Sequence, residues 1–454
     1  MIRKLSKERF DLYVLGMRTL GQSMYKEISY WSNRDETVVG FIAYDKNDGD
    51  YLYGIFMRDS IGRYRATYVE INFAKEKLAK KAMRGKIREI TASSDTEYSQ
   101  GDKPNSYIDL LSVTSSAAND QLDSHFIQLT QNPAYAPASR VFAELSPWLH
   151  PKDKHLEKEF QRQFDQRLWE IYLWAALKEL MFDVEQLEAP DFLCKWGNKS
   201  LFTIEATTVA RSESGKLAQV PDVPKDQETL AEYSEYMAMK FGSSLRNKLN
   251  KTPPYWEKTK ARGLPFVLAI ADFHRSEDDT WLPAHPNMLS RYLYGYEALV
   301  TRDSDGRHQI QSEPIDKHKY LEKEIPSGFF NLPKAENISA VLFSNAGTLP
   351  KFTRMGVLAG FKSPDYQYVR QGMKYNVADP LATEGIPVEI NISAKDYAEK
   401  WSEEMHLFHN PNAKHRLPVE YFAHINQHFS KGDHIESKIH PTWIHSTTVI
   451  IKNP

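Results

Sequence analysis

The sequence predicts an α/β protein with a β-rich N-terminal module, a central core whose elements follow the order α-β-β-β-α-β, and an α+β C-terminal region. Three observations support this class. Strand-like segments crowd residues 26–72, and apolar residues recur at helical spacing over 155–181 and 226–251. Two continuous apolar runs follow at 264–273 and 338–345, and such runs are typical of strands that are buried on both faces of a sheet.

The composition indicates a large globular protein without a dominant charge. With 454 residues, of which 41% are hydrophobic and 12% aromatic, the chain is long enough for two or three domains of about 100–200 residues each. Because 58 Lys and Arg residues are balanced by 60 Asp and Glu residues, the net charge is −2. A basic field over the whole molecule is therefore excluded, and nucleic-acid binding would require a local patch.

Cysteine content and hydropathy favour a cytoplasmic protein. The single cysteine, Cys194, excludes an intramolecular disulfide bond, and its place in the apolar run Phe192-Leu193-Cys194 indicates packing rather than a nucleophile. No stretch approaches the roughly 18 apolar residues of a membrane span, and the N-terminal segment lacks a secretory pattern. We therefore expect a cytoplasmic location and no membrane partner.

Turn signals and changes in composition divide the chain into four predicted parts. Residues 93–105 lack periodicity, which indicates a linker or mobile loop, and a helical insertion is expected near 288–299. The predicted parts are an antiparallel β-rich module at 1–90, a helical and loop linker at 91–150, the core with its insertion at 151–345, and a C-terminal extension at 346–454.

The core is predicted to begin with a helix over 155–181 that buries one face, followed by a β-meander. Its three strands are FDVEQL, PDFLCKWG and SLFTIEATTV, and the last two are joined by a turn at Gly197-Asn198-Lys199. A second long helix is predicted over 226–251, and it stops at Pro253-Pro254.

Two acidic residues are expected to meet across this hairpin. Side chains alternate along a strand, so one face of the third strand should carry Leu201, Thr203, Glu205 and Thr207. A buried acid such as Glu205 is costly unless something compensates its charge. If the strands pair around Asn198, Asp191 lies beside Glu205. Two carboxylates, the backbone carbonyl of Ala206 and water would form an all-oxygen site that suits Mg²⁺ or Mn²⁺, and Glu170 on the first helix could add a third carboxylate.

This arrangement resembles the PD-(D/E)XK nuclease superfamily, whose members share a restriction-endonuclease-like αβββαβ core. The resemblance covers about 155–275 and extends toward 345. It implies that Asp191 and Glu205 are the metal-binding acids and that Glu170 is the helix glutamate of many of these families; the alternative for Glu170 is a surface carboxylate paired with Arg167. Longer segments, including IEATT and SAVLFSNAGTLPKFTRMG, look like those of a family of large uncharacterised bacterial proteins.

The lysine of the family motif is absent, because Thr207 stands in its place. The resemblance implies that another residue supplies the missing cation. Lys199 lies six residues before Glu205, about 20 Å along a strand, which is too far. Lys240 and Lys248 on the second helix are the preferred substitutes, because this helix packs beside the active site in such a core.

A basic patch between 240 and 263 favours nucleic acid as the partner, since cations contact phosphates and aromatic rings stack on bases. The alternative is a solvated helix face. The aromatic residues of the patch are Tyr255 and Trp256, and its cations are Lys240, Arg246, Lys248, Lys251, Lys258, Lys260 and Arg262.

Two other patterns are interpreted as structural. His424 and His428 have i, i+4 spacing and could bind a metal on a helix, but a solvated helix face is the preferred interpretation. Residues 345–348 lack the Gly-Lys-Ser/Thr ending of a phosphate loop, so we expect a simple turn after a strand.

The sequence therefore favours a metal-dependent nuclease that hydrolyses phosphodiester bonds, with DNA preferred and RNA left open, in bacterial defence or DNA processing. The alternatives are a catalytically inactive nuclease fold that only binds nucleic acid, and a scaffold protein. A homodimer or a partner protein also remains open.

Overall fold

The computed structural model is a mixed α/β protein in which several sheets are packed with helices. It describes residues 1–18, 25–93, 109–113, 122–149, 156–209, 220–221, 224–273, 283–302, 308–376, 378–379, 382, 385–432 and 434–453, with backbone only for 298–302 and 308–311.

The N-terminal part forms a five-stranded antiparallel sheet whose strands lie in chain order, as the meander prediction requires. Its elements are β1 (Arg3–Leu5), α1 (Lys7–Val14), β2 (Tyr25–Ser32), β3 (Val38–Asp45), β4 (Tyr51–Arg58), β5 (Tyr64–Phe73) and α2 (Glu76–Ala92). Helix α2 covers one face by packing Met83 against Ile42 and Ile55. The other face carries Phe41 and Phe56, which belong to the main hydrophobic core of the molecule.

Four helices follow, α3 (Ser124–Gln131), α4 (Ala136–Leu145), α5 (Leu156–Arg162) and α6 (Phe164–Glu179). Helices α3 and α4 are packed parts of the core rather than a linker, because Phe126 and Phe142 are fully buried. Most of the aperiodic segment predicted at 93–105 lies outside the described residues. The helix predicted over 155–181 is divided at Gln163, and α6 is buried on nearly all sides instead of one, since it lies between the sheet and the other helices.

The central elements have the predicted order: α6 is followed by β6 (Asp183–Gln186), β7 (Phe192–Trp196), β8 (Lys199–Val209), α7 (Gln227–Leu249) and β9 (Phe266–Asp272). Strands β6 to β8 form an antiparallel meander, and β9 then joins β8 in parallel. Helix α6 packs on one face of this sheet and α7 packs on the other. Helix α7 begins with a capping box in which Asp226 and Thr229 bond each other's backbone amides.

The β7–β8 hairpin contains a bulge that the alternating pattern does not reveal. Trp196 pairs with Lys199 around a two-residue turn at Gly197 and Asn198. The register then shifts by one residue, so that Leu201 and Phe202 both pack into the same core. The prediction that Leu201 shares a face with Glu205 is therefore wrong. From Phe202 onward the alternation is regular, and Glu205 faces α7.

The remaining elements extend this sheet and add smaller ones. They are α8 (Pro286–Tyr294), β10 (Tyr296–Arg302), β11 (His308–Pro314), β12 (Lys317–Tyr320), β13 (Lys323–Pro326), β14 (Ala340–Phe343), α9 (Leu349–Leu358), β15 (Tyr366–Lys374), β16 (Ile386–Asn391), β17 (His406–His409), β18 (Asn426–Ser430), β19 (Ile435–Lys438) and β20 (Ile444–Lys452). The main sheet has eight strands in the order β19-β18-β17-β14-β9-β8-β7-β6.

The predicted core boundary at 345 falls inside this sheet, because three strands from the C-terminal part continue it. Strand β14 lies parallel to β9, and β17 pairs with β14 in the antiparallel sense. The insertion near 288–299 is helical only as far as Tyr294, after which Gly295 adopts a φ of +77° and the chain continues as β10. Strands β16, β15 and β20 form a separate three-stranded sheet. Among the described helices, none has both the length and the apolar composition needed to cross a bilayer.

Candidate functional site

Asp191 and Glu205 are brought together by the β7–β8 hairpin. Phe192 pairs with Ile204, and one further step of the antiparallel register places Asp191 opposite Glu205. Asp191 Oδ2 accepts a hydrogen bond from the backbone N–H of Ala206 at 2.6 Å. This bond fixes the half-buried carboxylate of Asp191 against the strand that carries Glu205.

Glu205 has one paired and one unpaired carboxylate oxygen. Its side chain is buried, and Oε1 accepts a hydrogen bond from Lys248 Nζ of α7 at 2.6 Å. Oε2 is shielded from solvent and has no hydrogen-bond partner among the residues that the structure describes. A buried carboxylate oxygen without a partner is energetically costly, so a missing ligand at this position would be stabilising.

The electrostatics of Asp191 also favour a bound cation. Burial is the largest cause that raises its pKa well above the usual value, followed by the negative charges of Glu205 and Glu170. The Ala206 amide and the Lys248 ammonium act in the opposite direction and offset only part of this effect. Neighbouring carboxyl groups that raise one another's pKa in this way are common in functional sites.

Glu170 is close enough to influence Asp191 but has a partner of its own. Its carboxylate forms an ion pair with Arg167 at 2.7 Å, one turn earlier on α6, which agrees with the alternative interpretation of this residue. Within the described ranges, no three His, Cys, Asp or Glu side chains are arranged to hold a metal. The structure thus brings two of the three predicted carboxylates together and holds the third on Arg167.

The backbone at Ala206 is oriented toward Asp191. The Thr203 amide and the Val209 carbonyl both form hydrogen bonds on the β9 side of β8. Backbone groups alternate in direction along a strand, so the N–H and C=O groups of the even-numbered residues between them point toward β7. Because β7 begins only at Phe192, the carbonyl of Ala206 lies beyond the paired part of the hairpin. The Asp191 carboxylate, the Glu205 carboxylate with its unpaired Oε2, and the Ala206 carbonyl are all oxygen ligands, the type that suits Mg²⁺ or Mn²⁺.

The two predicted lysines occupy different places. Lys248 contacts Glu205, whereas Lys240 is buried two turns earlier on α7, near Asp272 at the far end of β9. Burial lowers the pKa of Lys240 to about 8, and the charge of Asp272 offsets part of this effect. Only Lys248 is therefore placed to act at the acid pair. Thr207 is half-buried two residues beyond Glu205.

The aromatic residues of the basic patch are not free for base stacking. Tyr255 is 6% exposed, and its ring stacks on Phe266 with centroids 5.8 Å apart. Trp256 is half-buried and tilted against the same ring. The prediction that Tyr255 stacks on a base is wrong, because its ring belongs to the core. It contributes instead to the acid site: burial is the largest cause that raises its pKa, followed by the charge of Glu205 and a hydrogen-bonding interaction of the Tyr255 hydroxyl with that carboxylate.

Two cations of the patch already have partners within the protein. Lys260 forms an ion pair with Glu185, and Arg262 donates to the carbonyl of Glu257 at 3.3 Å. Lys251 is exposed, and Arg246 and Lys258 are half-buried. The positive surface near the acid pair is therefore smaller than the sequence indicates.

The predicted histidine pair is not helical. His424 is exposed in a turn, and His428 lies in strand β18. His428 Nε2 lies instead 3.0 Å from Nδ1 of His406 on the neighbouring strand. Both the preferred solvated helix face and the alternative metal pair on a helix are therefore wrong, because His424 lies in a turn and His428 in a strand, and the two residues share no helix.

Neither family models, curated proteins nor solved structures gave a match to this chain when it was compared with all three.

Proposed function

We propose that the protein is a metal-dependent nuclease that hydrolyses phosphodiester bonds, with a restriction-endonuclease-like core formed by α6, β6 to β9 and α7. The observation that carries the proposal is the buried, unpartnered Oε2 of Glu205 beside Asp191. The order of the surrounding elements supports the proposal, since Asp191 lies directly before the second strand of the meander and Glu205 lies in the third.

In this proposal the residues of the site have separate roles. Asp191, Glu205 and the Ala206 carbonyl would hold Mg²⁺ or Mn²⁺, which when bound supplies charge for polarising a phosphate and lowering the pKa of water. Lys248 reaches from α7 to Glu205 and would take the role of the motif lysine of the resembling family. Its ammonium neutralises Glu205 in the resting protein and would stabilise charge that develops on the scissile phosphate.

Tyr255 would serve as a hydrogen-bond donor rather than as a base. Burial and the charge of Glu205 raise the pKa of its phenol, so the proton stays on the oxygen at neutral pH. Lys248 Nζ lies 5.6 Å from the centre of the Tyr255 ring, and this contact helps to keep the lysine side chain over the acid pair.

Plasmid cleavage tests the proposal directly. We expect nicking of DNA with Mg²⁺ or Mn²⁺ and none with EDTA, and a loss of at least about 100-fold in Asp191→Asn and Glu205→Gln. Glu188→Gln is the matched control, because Glu188 is exposed and lies only three residues before Asp191. A labelled single-stranded RNA in the same assay separates DNA from RNA as substrate. Equal cleavage by all three variants would contradict the proposal.

The ion pair between Lys248 and Glu205 favours a second candidate function, which is nucleic-acid binding without cleavage. Lys248 already satisfies Glu205 Oε1, so the site could persist without metal in a protein that binds nucleic acid and does not cleave it. In that case binding would weaken with salt, no metal would stimulate cleavage, and Asp191→Asn would leave the affinity unchanged.

A further inference from the structure

Helix α2 and the residue before it carry a concentrated positive charge. Seven basic but only two acidic residues lie between 75 and 89, although the whole chain has a net charge of −2. A local excess of one sign on an otherwise nearly neutral protein attracts partners of the opposite sign. This helix is therefore a candidate surface for an anionic partner.

Four of the seven basic residues form a single row along α2. They recur at i, i+4, i+7 and i+11, which places their side chains above one another on the same flank of the helix. Glu76 and Glu89 lie to either side of this flank. At about 1.5 Å per residue the row is about 16 Å long. The members of this basic row are Lys77, Lys81, Arg84 and Arg88.

The opposite face of α2 is buried within the protein. Ala79, Met83 and Ile87 are fully buried against the N-terminal sheet. Among the large apolar side chains of α2, only Leu78 is exposed. A helix that adsorbs to a membrane inserts a broad apolar face, and here that face is already occupied. The surface of α2 thus offers charge and not an apolar membrane anchor.

The cations of the basic row are available to a ligand. Three of its members are exposed and the fourth, Arg84, is half-buried. Within the described part of the chain none of the four forms an ion pair with a carboxylate, whereas Lys86 on the other flank pairs with Glu89 at 2.6 Å. Their charge is therefore not neutralised by the protein itself.

Trp31 of β2 orders the side chains beside the row. Lys80 Nζ lies 4.4 Å from the centre of the Trp31 ring, and the guanidinium carbon of Arg84 lies 5.4 Å from it. Such contacts position cations without cancelling their charge. They also occupy the ring, so Trp31 is not free to stack on an unpaired base. The exposed Lys4 lies directly opposite Trp31 on β1 and adds a further cation to the same face.

The basic row lies far from the acid pair. Helix α2 covers the outer face of the N-terminal sheet, whose other face joins the core that contains α6. Helix α6 in turn covers one face of the main sheet, and Glu205 faces α7 on the other. Two sheets and a helical layer therefore separate the two places, and the row is a second surface.

We propose that the basic row of α2 is a docking surface for the phosphate backbone of double-stranded DNA. A duplex carries one negative charge per about 1.7 Å of its axis, so a rigid row of about 16 Å lies alongside several phosphates at once. Lys and Arg contacts to phosphates carry no sequence information. Binding at this surface is thus sensitive to salt and independent of base sequence. The inference goes beyond the proposed nuclease, because docking at α2 requires no cleavage.

Fluorescence anisotropy of a short labelled DNA duplex with the full chain, in EDTA and at several KCl concentrations, tests the proposal. The row variant replaces three exposed side chains together, Lys77→Gln, Lys81→Gln and Arg88→Gln. Its affinity should fall at least about 10-fold, and the slope of log affinity against log salt should become shallower by about two to three units, because each lost phosphate contact removes roughly 0.9 unit. The single change Lys81→Glu should lower the affinity several-fold.

Controls separate the row from net charge and from cleavage. Three exposed lysines elsewhere on the chain provide a variant with the same change of charge, Lys362→Gln, Lys395→Gln and Lys400→Gln, which should keep the wild-type affinity and slope. The double variant Lys77→Arg and Lys81→Arg should also bind normally, since it retains both charges. Asp191→Asn should bind as the wild type does, so failure of the proposed nuclease function would leave this result unaffected.

The same assay contains the outcomes that would overturn the proposal. They are a row variant that is folded by circular dichroism and has the wild-type salt slope, a control variant that loses as much affinity as the row variant, and a preference between two unrelated duplex sequences that disappears with the row. Tighter row-dependent binding of duplex RNA, or row-dependent binding of phosphatidylserine vesicles without an effect on DNA, would likewise contradict the assignment to DNA.

Discussion

Asp191 lies where burial and two neighbouring carboxylates all oppose its negative charge. The native state therefore holds a proton on this group more tightly than the unfolded chain does. Stability from this proton is fully present below the unfolded pKa and is lost as the pH rises through the raised folded pKa. At neutral pH the ionised carboxylate of Asp191 consequently destabilises the native state, and the proposed cation would relieve this cost.

The first prediction at the residue scale concerns this strain. Asp191→Asn keeps an acceptor for the Ala206 amide and removes the charge, so the metal-free variant should unfold at a higher temperature than the wild type at pH 7.5, on the order of 2 °C. Mg²⁺ should raise the midpoint of the wild type but not that of the variant. Calorimetry with and without EDTA measures both effects, and a variant less stable than the wild type in EDTA would contradict the argument.

The second prediction concerns Lys248, which we propose takes the role of the missing motif lysine. Lys248→Met should lower the rate of cleavage by about 100-fold or more, since one electrostatic contact to a developing charge has this magnitude. Lys251→Met is the matched control: Lys251 is exposed just beyond α7, so its loss should weaken DNA binding and reduce the salt dependence by about one unit of slope. A Lys248→Met enzyme with normal turnover would exclude the assigned role.

At the scale of elements, the β7–β8 hairpin positions the acid pair. The two-residue turn sets the register, and the bulge at Leu201 returns the strand to the alternation that turns Glu205 toward α7. Gly197 adopts a φ of +53° in this turn, with no atom within 4 Å of an added Cβ. A substitution there therefore acts through backbone strain and not through a clash.

The third prediction tests the turn. Gly197→Ala should lower the free energy of unfolding by about 1 kcal/mol, because the left-handed conformation is unfavourable for alanine. Gly197→Asn should cost less, since asparagine tolerates this conformation. Urea unfolding of both variants measures the difference. Equal stability of the two would show that the turn is not held in the left-handed conformation.

Sequence patterns predicted most of these elements correctly and their faces less well. The order from α6 to β9 follows from local periodicity, because each element repeats its apolar residues at its own spacing. The bulge at Leu201 and the burial of α6 on several sides depend on what packs against each element. Periodicity within one segment carries no information about a second layer on the opposite side.

At the scale of the whole molecule, the eight-stranded sheet separates two large hydrophobic clusters. One combines α1, α4, α6 and part of the N-terminal sheet, and the other combines α7 and α8. The C-terminal strands β17 to β19 extend this sheet. The buried His406 and His428 on these strands lie close to two half-buried histidines, His285 before α8 and His445 in β20. Burial is the largest cause that lowers the pKa of each, to about 4 for His285 and about 3 for His428.

The fourth prediction is a loss of stability in mild acid. A histidine with a lowered folded pKa takes up its proton more readily in the unfolded chain, so stability is complete above the unfolded value near 6.5 and falls as the pH decreases toward the folded value. The free energy of unfolding should therefore decrease steadily between about pH 6.5 and pH 4.5. Urea titrations at several pH values measure this slope.

His428→Gln serves as the test variant, because glutamine can still hydrogen-bond to Ser437, which lies 2.8 Å from His428 Nδ1. Its slope should be shallower than that of the wild type over the same range. The buried Glu399, whose pKa the nearby arginines and lysine hold well below its usual value against the effect of burial, contributes only below about pH 4.5. A variant with the wild-type slope above that pH would contradict the assignment to the histidines.

The sequence by itself determined the types and order of the central elements and the hairpin that places Asp191 beside Glu205, because both follow from spacing along a short segment. Only the tertiary structure decided that Lys248 and not Lys240 reaches Glu205, that Arg167 holds Glu170, and that the Tyr255 ring is core. The physical reason is that each of these facts depends on which side chains the packing brings within a few ångströms, and local periodicity cannot encode such distances between separate elements.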